Sequence, residues 1–354
     1  MEHREKVHPP GGGKPLLSGP LGPRPARSAS PEATVRRSGR IFAIGGGKGG
    51  VGKTFLACNL GAMMARLGKR VILVDADLGG ANLHTYLGLD IPERTLNDVL
   101  ARRVDRIEDV VLSTSYPNLK LISGAQSVLG AANPRYEYKA RLARRLRELD
   151  ADVIILDLGA GTSFNTLDTF LLSDEGVFVV VPEPTSLENA YAFIKASFFR
   201  RLRRATNDAR IKTLVDRVAD GRVERSIRTP ADLLSAIDVM DPRAGSRLRE
   251  EVNRFKPHVV MNQVRTVEDI QIGFAMRKVC RRYFGIDLDY LGYVNYDNAV
   301  WKSVRRRCLL LTEYPLSEPV EFLGRMARKL LDTQKDSEPS EPFQPRPDNL
   351  QGAG

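Results

Sequence analysis

Residues 41–54, IFAIGGGKGGVGKT, constrain the fold of this chain more than any other segment. An apolar run of strand character leads into a glycine-rich turn, and a helical apolar period starts at Thr54. The spacing Gly47-x-x-x-x-Gly52-Lys53-Thr54 is that of a phosphate-binding loop, which needs a strand before it and a helix after it, and the sequence offers both. The glycines let successive backbone N–H groups face one phosphate, Lys53 adds a point charge, and Thr54 offers a hydroxyl to magnesium. Gly47, Gly49, Gly50, Val51, Gly52, Lys53 and Thr54 are the expected contacts of a phosphate-bearing ligand.

The remaining chain reads as the sheet that such a loop requires. Short apolar runs at 41–45, 70–74, 119–123, 153–156, 177–181, 258–261 and 288–293 suit strands covered on both faces. Helical periods at 54–67, 137–149, 186–204, 267–284 and 298–307 separate them. This alternation predicts an α/β fold, a doubly wound, mostly parallel sheet of the P-loop NTPase kind, with ligands at the carboxyl ends of the strands. About seventy residues separate the strands at 177 and 258, more than one crossover helix needs, so a helical insertion is expected at about 200–256.

With 42% hydrophobic residues in 354, the stretch 41–331 can fill a sizeable core. The flanks cannot. Residues 1–40 are broken by Gly and Pro and hold eight Lys/Arg against three Asp/Glu; they are expected to be a disordered basic arm. Residues 332–354 hold two against five and are expected to be a disordered acidic tail.

Two further strand ends carry carboxylates. RVILVDADLGGANLH places Asp75 and Asp77 after the second run, and DVIILDLGAG ends on Asp157, where a magnesium-holding aspartate would stand. Helix capping or turn formation is the alternative, above all for Asp75.

Lys48 is foreign to a generic loop, and KGGVGKT resembles the deviant phosphate loop of the MinD/ParA-type ATPases. The resemblance covers most of 41–331. It implies ATP and Mg2+ as ligands, with Thr54 and Asp157 on the metal, and Lys48, Lys53 and Asp77 in catalysis, Asp77 orienting the attacking water and Lys48 reaching across an ATP-sandwiched homodimer. It places Asn262, which ends HVVMNQV, on the adenine edge. The later run VNYDNAV…RRRCLLLTEYPLSEPV resembles the MinD-like branch that includes flagellar-number regulators. The implied function is a slowly hydrolysing ATPase switch that controls the placement or number of a cellular structure, such as a flagellum, a division site or a partitioning chromosome. A nucleotide-dependent scaffold with negligible turnover is the alternative.

Partners are less sharply written. Residues 195–228 hold eleven Lys/Arg and four Asp/Glu, including FFRRLRRAT. This is either a docking face for nucleic acid, acidic protein or lipid headgroups, or the solvated side of a helix packed through Phe198 and Leu202. The amphipathic stretch 320–331 is expected to close the sheet rather than anchor a membrane. Cys58, Cys280 and Cys308 are too few and too scattered for a redox centre. Without an apolar leader or an uninterrupted apolar span, a cytoplasmic location is expected.

Overall fold

The structure, a computed structural model, describes residues 39–77, 80–124, 136–222, 227 and 229–332. Nearly all of the expected arm and tail lies outside the described residues. In chain order the elements are β1 (Arg40–Gly45), α1 (Lys53–Arg66), β2 (Val71–Asp75), α2 (Leu83–Tyr86), α3 (Leu96–Leu100), β3 (Val111–Ser113), β4 (Leu119–Ile122) and α4 (Tyr136–Glu148). They continue with β5 (Val153–Asp157), α5 (Phe164–Phe170), β6 (Glu175–Val180), α6 (Pro184–Arg204), α7 (Ala209–Ala219), α8 (Pro230–Met240) and α9 (Pro242–Arg254). Last come β7 (His258–Val264), α10 (Val267–Phe284), β8 (Asp289–Asn295), α11 (Asn298–Arg305), α12 (Leu310–Glu313) and α13 (Glu318–Asp332).

The strands form one sheet in the order β3-β4-β2-β5-β1-β6-β7-β8. Every neighbouring pair is parallel except β3 with β4. Period-two side chains explain why both faces are covered. Phe42 and Ile44 of β1 enter a core shared with α1, α12 and α13, whereas Ile41 and Ala43 enter the opposite core with α5, α6 and α10. β1 lies between β5 and β6, so the chain leaves it toward one side through β2 and returns to fill the other through β6, β7 and β8. The carboxyl end of β1 is therefore the switch point at which ligands bind in doubly wound sheets.

The antiparallel edge strand β3 is an addition to the sequence expectation, since three residues are too few for a period to register. The long connection holds α7, α8 and α9. Ile211, Val215, Leu233, Ile237 and Leu248 join Phe198 and Leu202 of α6 in the core beneath the sheet, so these helices continue that core. Their starts are fixed by Asp208, by the Thr229/Asp232 capping box and by Asp241. At the other end of the chain, α13 buries Val320, Leu323, Met326, Ala327 and Leu330 on the face shared with α1. Among the described residues, no helix is long and apolar enough to cross a membrane.

Candidate functional site

The glycine-rich loop connects β1 to α1 at the switch point. Gly49 and Gly50 are exposed at its crown, Gly47 and Gly52 are half-buried, and Val51 is buried at its base. Gly52 caps α1 with φ of +95°, in the left-handed region, and a Cβ there would overlap Asn262 Nδ2, so strain and space both require glycine. Lys53 is buried, and its Nζ donates to the Lys48 carbonyl at 3.2 Å. Burial pushes the Lys53 pKa down, against the pull of the Asp157 and Asp77 carboxylates. A phosphate arriving here would meet a cation already stripped of much of its water.

Parallel register brings the predicted carboxylates together: Ile44 of β1 pairs with Asp157, and Asp75 pairs with Asp157 across β2 and β5. Asp157 is buried, and its Oδ1 has no hydrogen-bond partner. Burial and then the negative charge of Asp75 raise its pKa to about 7, although the Thr54 hydroxyl and Lys53 oppose the rise. An orphaned carboxylate oxygen beside a threonine hydroxyl is the donor set of a hard, oxygen-ligated cation, so Thr54 and Asp157 fit magnesium.

Asp75 has a different task. Its carboxylate accepts the backbone N–H groups of Asp77 (3.2 Å), Asn82 (2.8 Å) and Leu83 (3.0 Å), pinning Asp77 and the start of α2. This is the capping and turn-forming alternative that the sequence left open. Burial still lifts its pKa to about 6. Asp77 lies where the two loops meet: a Cβ on Gly159 would sit 2.9 Å from its Oδ1, so glycine at 159 lets the β5 loop close on that carboxylate.

Three polar residues not singled out from the sequence complete the loop's surroundings. Asn82 accepts from the Thr54 hydroxyl at 3.4 Å, and Lys48 Nζ donates to Glu183 Oε2 at 2.8 Å and Thr185 Oγ1 at 3.1 Å. The signature lysine is thus held by its own chain, at the N-terminus of α6. Asn82 was within reach, since it belongs to the carboxylate-bearing run VDADLGGAN; Glu183 and Thr185 carry no local pattern. Asn262 is buried beneath the loop, and its Nδ2 donates to the Val51 carbonyl at 2.8 Å.

The arginines of FFRRLRR are part-buried and meet carboxylates of the protein itself. Arg200 makes a two-pronged contact with buried Asp168 at 2.8 and 3.0 Å, Arg201 pairs with Glu251 at 3.0 Å, and Arg203 pairs with Asp216 at 2.9 Å. Arg204 lies 3.9 Å from Asp168. These cations tie α6 to α5, α7 and α9.

An AAA domain family profile matches residues 39–209. The septum site-determining protein MinD of Synechocystis is 31% identical over 283 residues, 76% of this chain and 98% of that protein. The chain belongs to the MinD/ParA-type P-loop ATPases. The antiactivator FleN of Pseudomonas aeruginosa, 29% identical over 82% of this chain and 86% of its own length, is a second relative of this MinD-like ATPase. Among solved structures, MinD of Pyrococcus horikoshii complexed with Mg-ADP shares the MinD-type fold with a TM-score of 0.57 at 20% identity, covering 83% of this chain and 97% of that one.

Proposed function

We propose that this MinD/ParA-type chain is an ATP-dependent switch: it binds Mg-ATP in the β1–α1 loop, hydrolyses it slowly, and controls the placement or number of a cellular structure from the cytoplasm. One observation carries the reading: Lys53, Thr54, Asp77 and Asp157 converge on a glycine loop at the switch point, with the Asp157 oxygen unpartnered. The relatives named for septum placement and for antiactivation support the regulatory part.

Lys53 neutralises the β- and γ-phosphates, and the loop N–H groups fix their orientation. Thr54 and Asp157 would hold magnesium, which when bound supplies charge neutralisation to the transferring phosphoryl group. Asp77 orients the attacking water and lowers the barrier without strengthening ground-state binding. Asn262 contributes its Oδ1 as acceptor for the adenine 6-amino group, since Nδ2 is engaged with Val51.

Dimerisation through Lys48 requires the lysine to leave Glu183 for the partner's phosphates. Both side chains are more than a third exposed, so breaking that pair costs no more than about 1 kcal/mol. A protein partner that responds to the dimer is part of the proposal. A nucleic-acid role for the basic insertion would have to use cations other than the carboxylate-paired arginines of α6.

Phosphate release from Mg-ATP tests the reading. Wild type is expected to turn over slowly, and Asp77→Ala to bind Mg-ATP normally with release reduced about a hundredfold. Binding without any release by wild type, with or without a partner, would leave the scaffold alternative in its place.

A further inference from the structure

β7 ends in an irregularity that ordinary strand packing does not need. Its pairing with β8 slips between Asn262 and Val264, and the intervening Gln263 has φ of +59°. A residue other than glycine is strained in that region, and an extra residue in a ladder re-aims its neighbours. Gln263 is exposed, while beyond it pairing resumes: Val264 meets Asn295, and Tyr296 N–H donates to the Val264 carbonyl at 2.8 Å. The direction of the flanking side chains is what the distortion changes. On one side Asn262 turns into the protein and donates to the Val51 carbonyl at 2.8 Å; on the other Arg265 stacks on Tyr296, its guanidinium carbon 4.0 Å from the ring centroid.

The Val51 carbonyl and the Gly52 N–H belong to one peptide plane and point in opposite directions. Holding the carbonyl therefore sets the N–H. We infer that Asn262 is a positioning residue: its amide, aimed by the Gln263 bulge, fixes the Val51–Gly52 peptide so that the Gly52 N–H faces the phosphates, whichever base is bound. The inference rests on the reading that this loop binds a nucleoside triphosphate, and it assigns Asn262 a task separate from contact with adenine.

A thermodynamic cycle separates the two tasks. Calorimetry in magnesium measures the affinity of wild type, Asn262→Ala and Gln263→Val for ATP and for purine riboside 5′-triphosphate, which has hydrogen in place of the 6-amino group. Because calorimetry reports binding stoichiometry as well as affinity, an unfolded fraction appears as missing sites rather than as weaker binding. If Asn262 positions the loop, Asn262→Ala weakens both ligands by about tenfold, since the Val51 carbonyl loses its buried donor. Gln263→Val, whose β-branched side chain resists positive φ, weakens both in the same way. A penalty confined to ATP, or wild-type affinity in Gln263→Val, would overturn the inference and leave the triphosphate reading intact. Failure of wild type to bind either ligand would remove both.

Discussion

At the amino-terminal edge of β6, β7 and β8 the buried charges are matched, and at the carboxyl edge of β1, β2 and β5 they are not. His258 is buried with Nε2 2.8 Å from Glu175 Oε2 and Nδ1 2.9 Å from Asp289 Oδ2, a geometry in which only the doubly protonated ring donates to both. Arg40 pairs with Glu175 and also donates to the Leu330 carbonyl at 2.8 Å, and Lys329 donates to Asp289 at 2.9 Å. Burial raises the Asp289 pKa, but the bonds from His258 and Lys329 outweigh it and hold it at about 2. At the opposite edge Asp157 and Asp75 rest at about 7 and 6, because burial dominates and no matching cation outweighs it. One edge fastens β1, β6, β7, β8 and α13 together. The other is left short of positive charge, which magnesium would supply.

The largest effect expected from breaking this contrast is at Lys53. Lys53→Ala should lower Mg-ATP affinity by more than about a hundredfold, because a charge-assisted contact to two phosphates is lost, while the unfolding midpoint stays near that of wild type. Calorimetric titration beside a thermal melt reads both. Retained affinity would remove the phosphate loop from the account.

His258→Leu should act in the converse way, removing the buried cation between the part-buried Glu175 and Asp289 and leaving them only Arg40 and Lys329. A loss of about 2–3 kcal/mol in urea-unfolding free energy is expected, with Mg-ATP affinity unchanged. Equal damage to binding would show that the two edges are not independent.

The edges also differ in how they respond to pH. Carboxyls raised to about 7 and 6 cost the ligand-free fold stability when ionised, so that cost is relieved as pH falls from 8 toward 5.5. His258, with its pKa raised, contributes stability that is fully present below about pH 6.5 and lost as pH rises through its folded value. The ligand-free midpoint should therefore fall with rising pH across this window. Mg-ATP affinity should rise instead, by up to about tenfold per unit below pH 7, as Asp157 ionises. A flat affinity profile would contradict the assignment of Asp157 to the metal.

The smallest effects separate two pairs on α6. Arg203→Gln disrupts a half-exposed contact with Asp216 and should cost no more than about 1 kcal/mol. Arg200→Gln strips buried Asp168 of its two-pronged partner and should cost clearly more, about 2–3 kcal/mol. Similar values in chemical denaturation would mean that the α6 cations act only as surface charge.

Much of the nucleotide edge was legible because its chemistry is local. A phosphate loop is a contiguous run of glycines with one lysine and one threonine, and strand-end aspartates follow apolar runs that a period-two reading detects; β1, β2 and β5 and their side chains were placed this way. The amino-terminal edge was not legible, since Glu175, His258, Asp289 and Lys329 meet only through the register of three strands and a helix distant in sequence. The arginines of α6 were visible as charge but not as partners, because Asp168, Asp216 and Glu251 come from other helices. The tilt of Asn262 into the loop depends on a backbone slip at Gln263, and no residue type announces a positive φ at glutamine.

The central claim is that the carboxyl edge keeps Asp157 buried and underpaired for a cation that arrives with ATP. Thermal unfolding of Asp157→Asn with and without Mg-ATP tests it most directly. The account predicts a ligand-free midpoint about 2–4 °C above wild type, because a buried charge is removed, together with loss of most of the magnesium-dependent upward shift that ATP gives wild type. A lower ligand-free midpoint with the Mg-ATP shift intact would contradict it.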